Sequence, residues 1–511
     1  MQSIGASVPR SPALADTELL QPARAWLVPL LVGLGAYTVA VAAASALLND
    51  GDTLSHIVIG RWIVEHRVIP FHDPFTFTFP GETWVPHEWL AGIVFAAVYD
   101  GLGWGGVIAA TGLAIAAAFA LLAGALQRSL GPRRAAIGAL LALALTEPHL
   151  LARPHVLALP LLVAWMAGVI RARDEGGAPS FALLPVMVLW CNLHGGFVVG
   201  LLFAGLLATE AVLVAPASAR WETLRGWGVF LGLSTLAALV SPNGVDLFTL
   251  PLRMLRMSFA ISALSEWHAA DFQHFEPLEV WIALTILGGF SLGLRLPWTR
   301  TAMVLLLLHL ALTHVRNQEL LGIIGPLLIA APLSARLGSS VSARTGSAGK
   351  RAARGLAMAP FATAVIAAVL ITLGFLSTAL ALDRRGIGPR EAVAPVSAID
   401  AARTAGLTGR VLHSIRFGGY LMFIGIPTFI DGRADLFGDE FLARNAAASA
   451  AIGDALPGLL DHYAIAWTLF EPSSQAVTLL DHLPGWKRLY ADDYAVIHYR
   501  ETPVNEPAPA P

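Results

Sequence analysis

Acidic residues and histidines are concentrated in one stretch of this chain, residues 49–90. Asp52 comes soon after an uninterrupted apolar run, and His56 lies one helical turn further on. A carboxylate at the end of an apolar run, whose pKa is adjusted by a neighbouring imidazole, is suited to take a proton from a hydroxyl group. We therefore predict that this stretch forms a catalytic site, in which Asp52 is the general base and His56 adjusts its basicity.

Three further residues of the same stretch join the predicted site. Asp73 is predicted to be catalytic as well, because it could orient the acceptor or share a cation with Asp52. The alternative is that Asp73 is a turn residue of the loop, where aspartate is common. His87 and Glu88 are predicted to bind the acceptor substrate, since charge at membrane depth is costly unless it is used. The alternative for Asp52 is that it caps the N-terminus of a helix. Residues 50–52 also form a DxD pattern, which is too short to establish a metal site.

Two arginines and an Asn–His pair lie outside this stretch. Arg316 and Arg153 are predicted to bind phosphate, because a guanidinium holds phosphate through paired hydrogen bonds where lysine acts as a point charge. The alternative for both arginines is that they extend to the lipid headgroups. Asn192 and His194 stand beside glycines and are predicted to bind substrate, and capping of a broken helix would explain them equally well.

The composition is that of a membrane protein. Of the 511 residues, 56% are hydrophobic and only 13% are charged, and the mean hydropathy is +0.66. A net charge of −2 argues against a nucleic-acid partner, because no basic stripe is present to neutralise phosphates. The single cysteine, Cys191, cannot form an internal disulfide and lies in an apolar run, which is typical of a buried thiol.

Apolar runs predict a polytopic α-helical protein with about eleven transmembrane helices. Lys and Arg predominate in alternate loops, which places those loops in the cytoplasm and the histidine-bearing loops on the opposite side. After the last span, short alternating patterns predict an extracytoplasmic α/β domain with strands at 410–414, 428–431, 464–470 and 494–499. The predicted divisions are a disordered cytoplasmic N-terminus (1–25), a transmembrane domain (26–383) with a long first outer loop (49–88), a soluble extracytoplasmic domain (384–503) and a disordered tail (504–511).

This order of parts resembles that of the GT-C glycosyltransferases, which include protein mannosyltransferases, aminoarabinose transferases of lipid A and oligosaccharyltransferase catalytic subunits. The chain is also similar to a group of uncharacterised bacterial membrane proteins with the same C-terminal tail. The resemblance departs from oligosaccharyltransferases, because neither the WWDYG-type acceptor motif nor the Glu-rich second metal motif is present. The segments that carry the resemblance are DTLSH (52–56), HDPF (72–75), WVPHEW (84–89), RPH (153–155), NLHGG (192–196), SPNG (241–244), RN (316–317), GGY (418–420) and DGRADL (431–436).

The resemblance implies an enzyme of the bacterial inner membrane that acts in cell-envelope polysaccharide biosynthesis. It would move a sugar, with inversion, from a polyprenyl-phosphate donor to an extracytoplasmic glycan, lipid or protein. A divalent cation, Mg²⁺ or Mn²⁺, is left open, with Asp52 and Asp73 as its ligands if one is used. The alternatives are a lipid-linked polysaccharide ligase or polymerase, a polytopic transporter, and a non-catalytic subunit of an assembly.

Overall fold

The structure is a computed structural model, and it describes residues 26–338 and 359–501. The predictions of disorder for 1–25 and 504–511 lie outside these residues. Helices make up the part of the chain that precedes the soluble domain. They are α1 (Leu27–Ala42), α2 (Ala44–Leu47), α3 (Gly51–His66), α4 (Trp89–Leu130), α5 (Pro132–Thr146), α6 (Pro154–Asp174), α7 (Leu184–Leu193), α8 (Phe197–Val214), α9 (Arg220–Ala238), α10 (Asp246–Met254), α11 (Ser258–Ala263), α12 (Pro277–Leu292), α13 (Trp298–Thr313), α14 (Gln318–Arg336) and α15 (Ala359–Arg384).

Within the described residues, five helical segments are long and apolar enough to cross a membrane, and α1, α12, α13 and Phe181–Leu193 are shorter apolar helices. The predicted class of a polytopic helical membrane protein with a C-terminal α/β domain is confirmed, whereas the count of eleven spans stays a prediction. Helix α4 changes direction at Gly103, whose φ of 60° and ψ of −157° are accessible to glycine.

Helix α3 begins beside the two aspartates Asp50 and Asp52. Asp50 is its N-cap, and the Asp50 Oδ1 accepts a hydrogen bond of 2.8 Å from the Asp52 N–H. The capping role that was open for Asp52 therefore belongs to Asp50, and the Asp52 side chain stands in the first turn. Helix α3 packs tightly on α4, because a Cβ on Gly60 would overlap the backbone of Gly92.

The soluble domain contains a four-stranded sheet of order β1-β2-β4-β3. Strands β1 and β2 are parallel, and β4 is antiparallel to both of its neighbours. The expected strand at 428–431 is wrong: it forms one isolated bridge, between Thr428 and Thr76. Strand β3 was missed, because most of its side chains are outside the core and give no alternating signal. The elements are α16 (Val396–Thr404), β1 (Val411–His413), α17 (Ile415–Phe423), α18 (Ala434–Ser449), α19 (Ala455–His462), β2 (Trp467–Phe470), α20 (Gln475–Leu480), β3 (Trp486–Ala491) and β4 (Val496–Arg500).

The soluble domain rests directly on α3. A Cβ on Gly419, in α17, would overlap the carbonyl of Gly51, and a Cβ on Gly432 would overlap Asp52 Oδ1. Only glycine allows backbones to approach this closely. The domain therefore covers the start of α3 and forms one wall of the region around Asp52.

Candidate active site

Two chain segments meet at the point where α1 and α2 end and α6 begins. The Thr53 Oγ1 donates to the carbonyl of Ala152 over 2.8 Å, and the Ala152 N–H donates to Leu47 O, also over 2.8 Å. Arg153 precedes Pro154 and accordingly has an extended backbone, with φ −120° and ψ 159°. These contacts bring the Arg153 side chain to the two aspartates at the start of α3.

Arg153 contacts three carboxylates at once. Its Nε lies 2.5 Å from Asp50 Oδ2, and its Nη2 lies 2.7 Å from Asp52 Oδ2. Its Nη1 donates to Glu266 Oε2 over 2.7 Å. The predicted phosphate ligand is therefore adjacent to the predicted base, and each of its three guanidinium nitrogens faces a carboxylate oxygen.

Glu266 joins this arginine to the second predicted one. The Glu266 Oε1 accepts a hydrogen bond of 3.0 Å from Arg316 Nη1. The Arg316 guanidinium also lies over the ring of Trp267, 4.6 Å from its centroid, where a cation–π contact adds to the ion pair. We call this group of side chains the acid–arginine cluster: Asp50, Asp52, Arg153, Glu266 and Arg316.

The Asp52 carboxylate is largely buried but still reaches solvent. Its side chain is 30% exposed. Burial, reinforced by the charges of Asp50, Glu266 and Glu88, raises the pKa of Asp52 to about 7, although Arg153 opposes the shift. A carboxylate with such a pKa accepts a proton at neutral pH better than an ordinary aspartate does.

A second group surrounds Glu88, and we call it the histidine pocket. Glu88 faces three imidazoles: His56 Nε2 at 3.4 Å, His194 Nε2 at 3.6 Å and His87 Nε2 at 3.8 Å. Burial lowers the pKa of His56 to about 4, so this imidazole is neutral at physiological pH. His56 thus faces Glu88, and its predicted effect on the basicity of Asp52 stays a prediction. The neutral His56 imidazole offers one donor and one acceptor to hydroxyl groups.

Asp73 forms an ion pair with Arg433 rather than with the acid–arginine cluster, and its predicted catalytic role stays a prediction. Its fully buried carboxylate accepts a hydrogen bond of 2.7 Å from Arg433 Nη1 and one of 2.6 Å from Thr76 Oγ1. Arg433 binds Asp431 as well, through its Nε and Nη2 at 2.8 and 2.6 Å. Asp73 therefore joins the first outer loop to the soluble domain through Arg433.

Asn192 makes all of its side-chain hydrogen bonds within the protein. Its Nδ2 donates to the carbonyls of Val188 and Val240 over 2.8 and 2.9 Å, and its Oδ1 accepts from Trp89 Nε1 over 2.9 Å. The side chain is buried, and both of its polar atoms have protein partners. The capping alternative explains this residue better than substrate binding does, whereas His194 faces the histidine pocket.

The arrangement does not suit the cation that was left open for Asp52 and Asp73. The two carboxylates point to different arginines, and Arg153 supplies the positive charge between Asp50, Asp52 and Glu266. In residues 26–338 and 359–501, no group of three or more His, Cys, Asp or Glu is arranged to hold a metal ion. The use of Mg²⁺ or Mn²⁺ stays a prediction, and no step below depends on it.

Sequence reasoning missed Glu266 and Glu319. The Glu319 carboxylate is buried and lies 3.7 Å from His155 Nε2, and the ring of His155 lies 6.0 Å from that of His194. The His155 ring therefore lies next to the histidine pocket, two residues along the chain from Arg153. For Glu319 a signal existed, since an acid at the start of an apolar helix is costly unless used. Glu266 lies in an irregular loop that gives no comparable signal.

The chain was compared with known proteins. No protein-family model and no curated protein sequence matches it. Among solved structures, it is similar to ArnT from Cupriavidus metallidurans bound to undecaprenyl phosphate, with 17% identity and a TM-score of 0.49, over 93% of this chain and 98% of that one. It is also similar to the archaeal oligosaccharyltransferase AglB from Archaeoglobus fulgidus in complex with an inhibitory peptide and a dolichol-phosphate, with 10% identity and a TM-score of 0.46, over 86% of this chain and 69% of that one.

The ArnT structure in the apo state matches too, with 16% identity and a TM-score of 0.44, over 91% of this chain and 97% of that one. At such identities the likeness does not extend to substrates or to individual side chains. The function has to be argued from the site's own residues.

Proposed function

We propose that this chain is an inverting glycosyltransferase that moves a sugar from a polyprenyl-phosphate donor to an extracytoplasmic acceptor. The observation that carries the proposal is the acid–arginine cluster. In it the partly exposed Asp52 carboxylate, whose pKa is raised, contacts Arg153, and Glu266 joins Arg153 to Arg316. A base and an anion-binding group are the two parts that displacement of a phosphate by a hydroxyl requires. Undecaprenyl phosphate is the donor lipid that we propose.

The proposed reaction is a single displacement. Asp52 takes the proton of the acceptor hydroxyl, whose oxygen attacks the anomeric carbon on the face opposite the phosphate. The bond between the anomeric carbon and the phosphate oxygen breaks, and its electron pair leaves with the lipid phosphate. Arg153 and Arg316 stabilise the negative charge that develops there. Because one bond forms as the other breaks on opposite faces, the configuration of the sugar inverts.

The histidine pocket is the proposed site for sugar and acceptor hydroxyls. His56, His87 and His194 surround Glu88, and these groups can exchange hydrogen bonds with several hydroxyls at once. We also propose that the site faces the periplasmic side of a bacterial inner membrane, with a cytoplasmic N-terminus. The basic residues of the opposite loops support this orientation.

The pH dependence of transfer follows from the raised pKa of Asp52. The active form is the carboxylate, so the rate is expected to rise as the pH passes upward through about 7 and to level off above it. Glu88→Gln removes a negative charge that raises this pKa, and it should move the midpoint to lower pH. The measurement is kcat/KM for the donor between pH 5 and 9. A flat profile for the wild-type protein over this range would contradict the assignment.

The function itself is tested with a panel of radiolabelled prenyl-linked sugars. Purified full-length protein is incubated with undecaprenyl-phosphate sugars and with a broad acceptor mixture, and release of undecaprenyl phosphate is measured. Transfer from at least one monophosphate donor is expected. Consumption of pyrophosphate-linked donors only would favour a lipid-linked polysaccharide ligase or polymerase, and no consumption from a broad panel would overturn the proposal.

A further inference from the structure

Glu266 occupies the position between the two arginines of the cluster. Its Oε2 accepts from Arg153 Nη1 over 2.7 Å, and its Oε1 accepts from Arg316 Nη1 over 3.0 Å. A phosphate group that bound both guanidiniums would present two oxygens in the same way, because carboxylate and phosphate are the anions that guanidinium groups hold through paired contacts. The carboxylate therefore makes the contacts that the donor's phosphate would need.

The net charge of the acid–arginine cluster determines whether a phosphate can bind while Glu266 is in place. Asp50, Asp52 and Glu266 are three carboxylates for the two guanidiniums, so the cluster carries an excess of negative charge when all of them are ionised. Burial acts in the opposite direction, but Arg316 and Arg153 lower the pKa of Glu266, which keeps it ionised at neutral pH. A phosphate that entered beside all three acids would be repelled at short range. One carboxylate has to leave before the phosphate can bind.

Glu266 is the carboxylate that can leave most easily. Asp50 caps α3, and Asp52 lies against Gly432 of the soluble domain. Glu266 stands instead on the single 3-10 turn Ser265–Trp267, and its side chain is 33% exposed. The neighbouring Trp267 is held through its backbone, since its carbonyl oxygen lies 2.7 Å from His314 Nδ1. The Glu266 side chain can therefore rotate towards solvent while the turn keeps its place.

We propose that Glu266 fills the phosphate subsite in the donor-free protein and is displaced when the lipid phosphate binds. The inference rests on the proposed function and adds a residue that sets the affinity for the donor and the release of the lipid product. In this scheme Glu266 positions Arg153 and Arg316 before binding, and after transfer it competes with the departing prenyl phosphate for both guanidiniums. Glu266 is a positioning residue, because it touches the arginines and not the reacting atoms.

The test measures the binding of sugar-free undecaprenyl phosphate to purified full-length protein. Glu266→Gln removes the competing charge, and it should bind the lipid roughly tenfold more tightly than the wild-type protein. The matched control is Asp271→Asn, which removes an exposed carboxylate from the same loop and should bind like the wild type. In turnover, Glu266→Gln should lower KM for the donor and also lower kcat, because the lipid product leaves more slowly. Loss of a purely structural residue would weaken binding instead.

A second variant covers the case in which Glu266→Gln does not fold. Glu266→Asp keeps the charge but is one methylene shorter, so it cannot bridge both arginines and should also bind the lipid more tightly. Wild-type binding together with equal or weaker binding by the folded variants would overturn the role of Glu266 and leave the proposed function standing. If folded wild-type protein and both variants bind no undecaprenyl phosphate, the proposed function falls, and this inference falls with it.

Discussion

Transfer by Asp52→Asn protein is expected to be about 10²- to 10⁴-fold slower than transfer by the wild type, which is the usual contribution of a general base. Asparagine has nearly the same shape and can still accept a hydrogen bond from Arg153, but it cannot take the acceptor proton. The fold should survive, because Arg153 keeps its contacts with Asp50 and Glu266. The measurement is kcat for release of prenyl phosphate from the best donor of the panel.

Two controls separate this effect from a general loss of charge at the membrane surface. Asp50→Asn retains an N-cap residue of comparable quality for α3 and should keep most of the activity. Glu65→Gln changes an exposed acid on the same helix and should behave like the wild type. Wild-type turnover by Asp52→Asn protein would refute the base assignment, and loss of turnover in Asp50→Asn alone would transfer the role to Asp50.

The second large effect is on stability. Arg433→Met is expected to lower the free energy of unfolding by about 3–5 kcal/mol, because it leaves the fully buried carboxylates of Asp73 and Asp431 without their cation. The guanidinium also lies over the ring of Trp84, 4.8 Å from its centroid, and this contact is lost too. The measurement is the shift in Tm of purified protein in detergent.

Arg444→Met is the matched control for this variant. Arg444 belongs to the same domain, but its side chain is 51% exposed, and it pairs with the exposed Glu440 one helical turn away. Such pairs contribute little, so its Tm should stay close to that of the wild type. Equal Tm values for both variants would show that the buried ion pairs of Arg433 do not hold the domain in place.

Much of the site was predictable from local sequence. Asp52 and Glu88 are acids next to apolar helices, where burial makes an ionised group expensive, and both lie in the region that the sequence singled out. Arg153 and Arg316 were predicted for a different reason, which is that a guanidinium holds phosphate through paired hydrogen bonds. The structure brings these four residues into one connected region, although each arginine already has carboxylate partners.

The ion-pair partners of these side chains could not be predicted from the neighbouring sequence. Glu266 contacts Arg153 and Arg316, which are 113 and 50 residues away in the chain, and nothing in the irregular loop around it marks it as their partner. Asp73 precedes a proline in a loop, and there a turn residue, a catalytic acid and a partner of a distant arginine look alike. Only the position of Arg433, 360 residues later, decides among them.

The contact between Gly432 and Asp52 has a consequence for biogenesis. Residues 431–433 leave the ribosome after every apolar helix described here, so a nascent chain whose helices are already inserted still lacks the wall above Asp52. Asp52 gains its final surroundings only when the C-terminal domain has been made and lies against α3. If Asp52 is the proposed base, the site is therefore complete only after the whole polypeptide has been made and its C-terminal domain has docked.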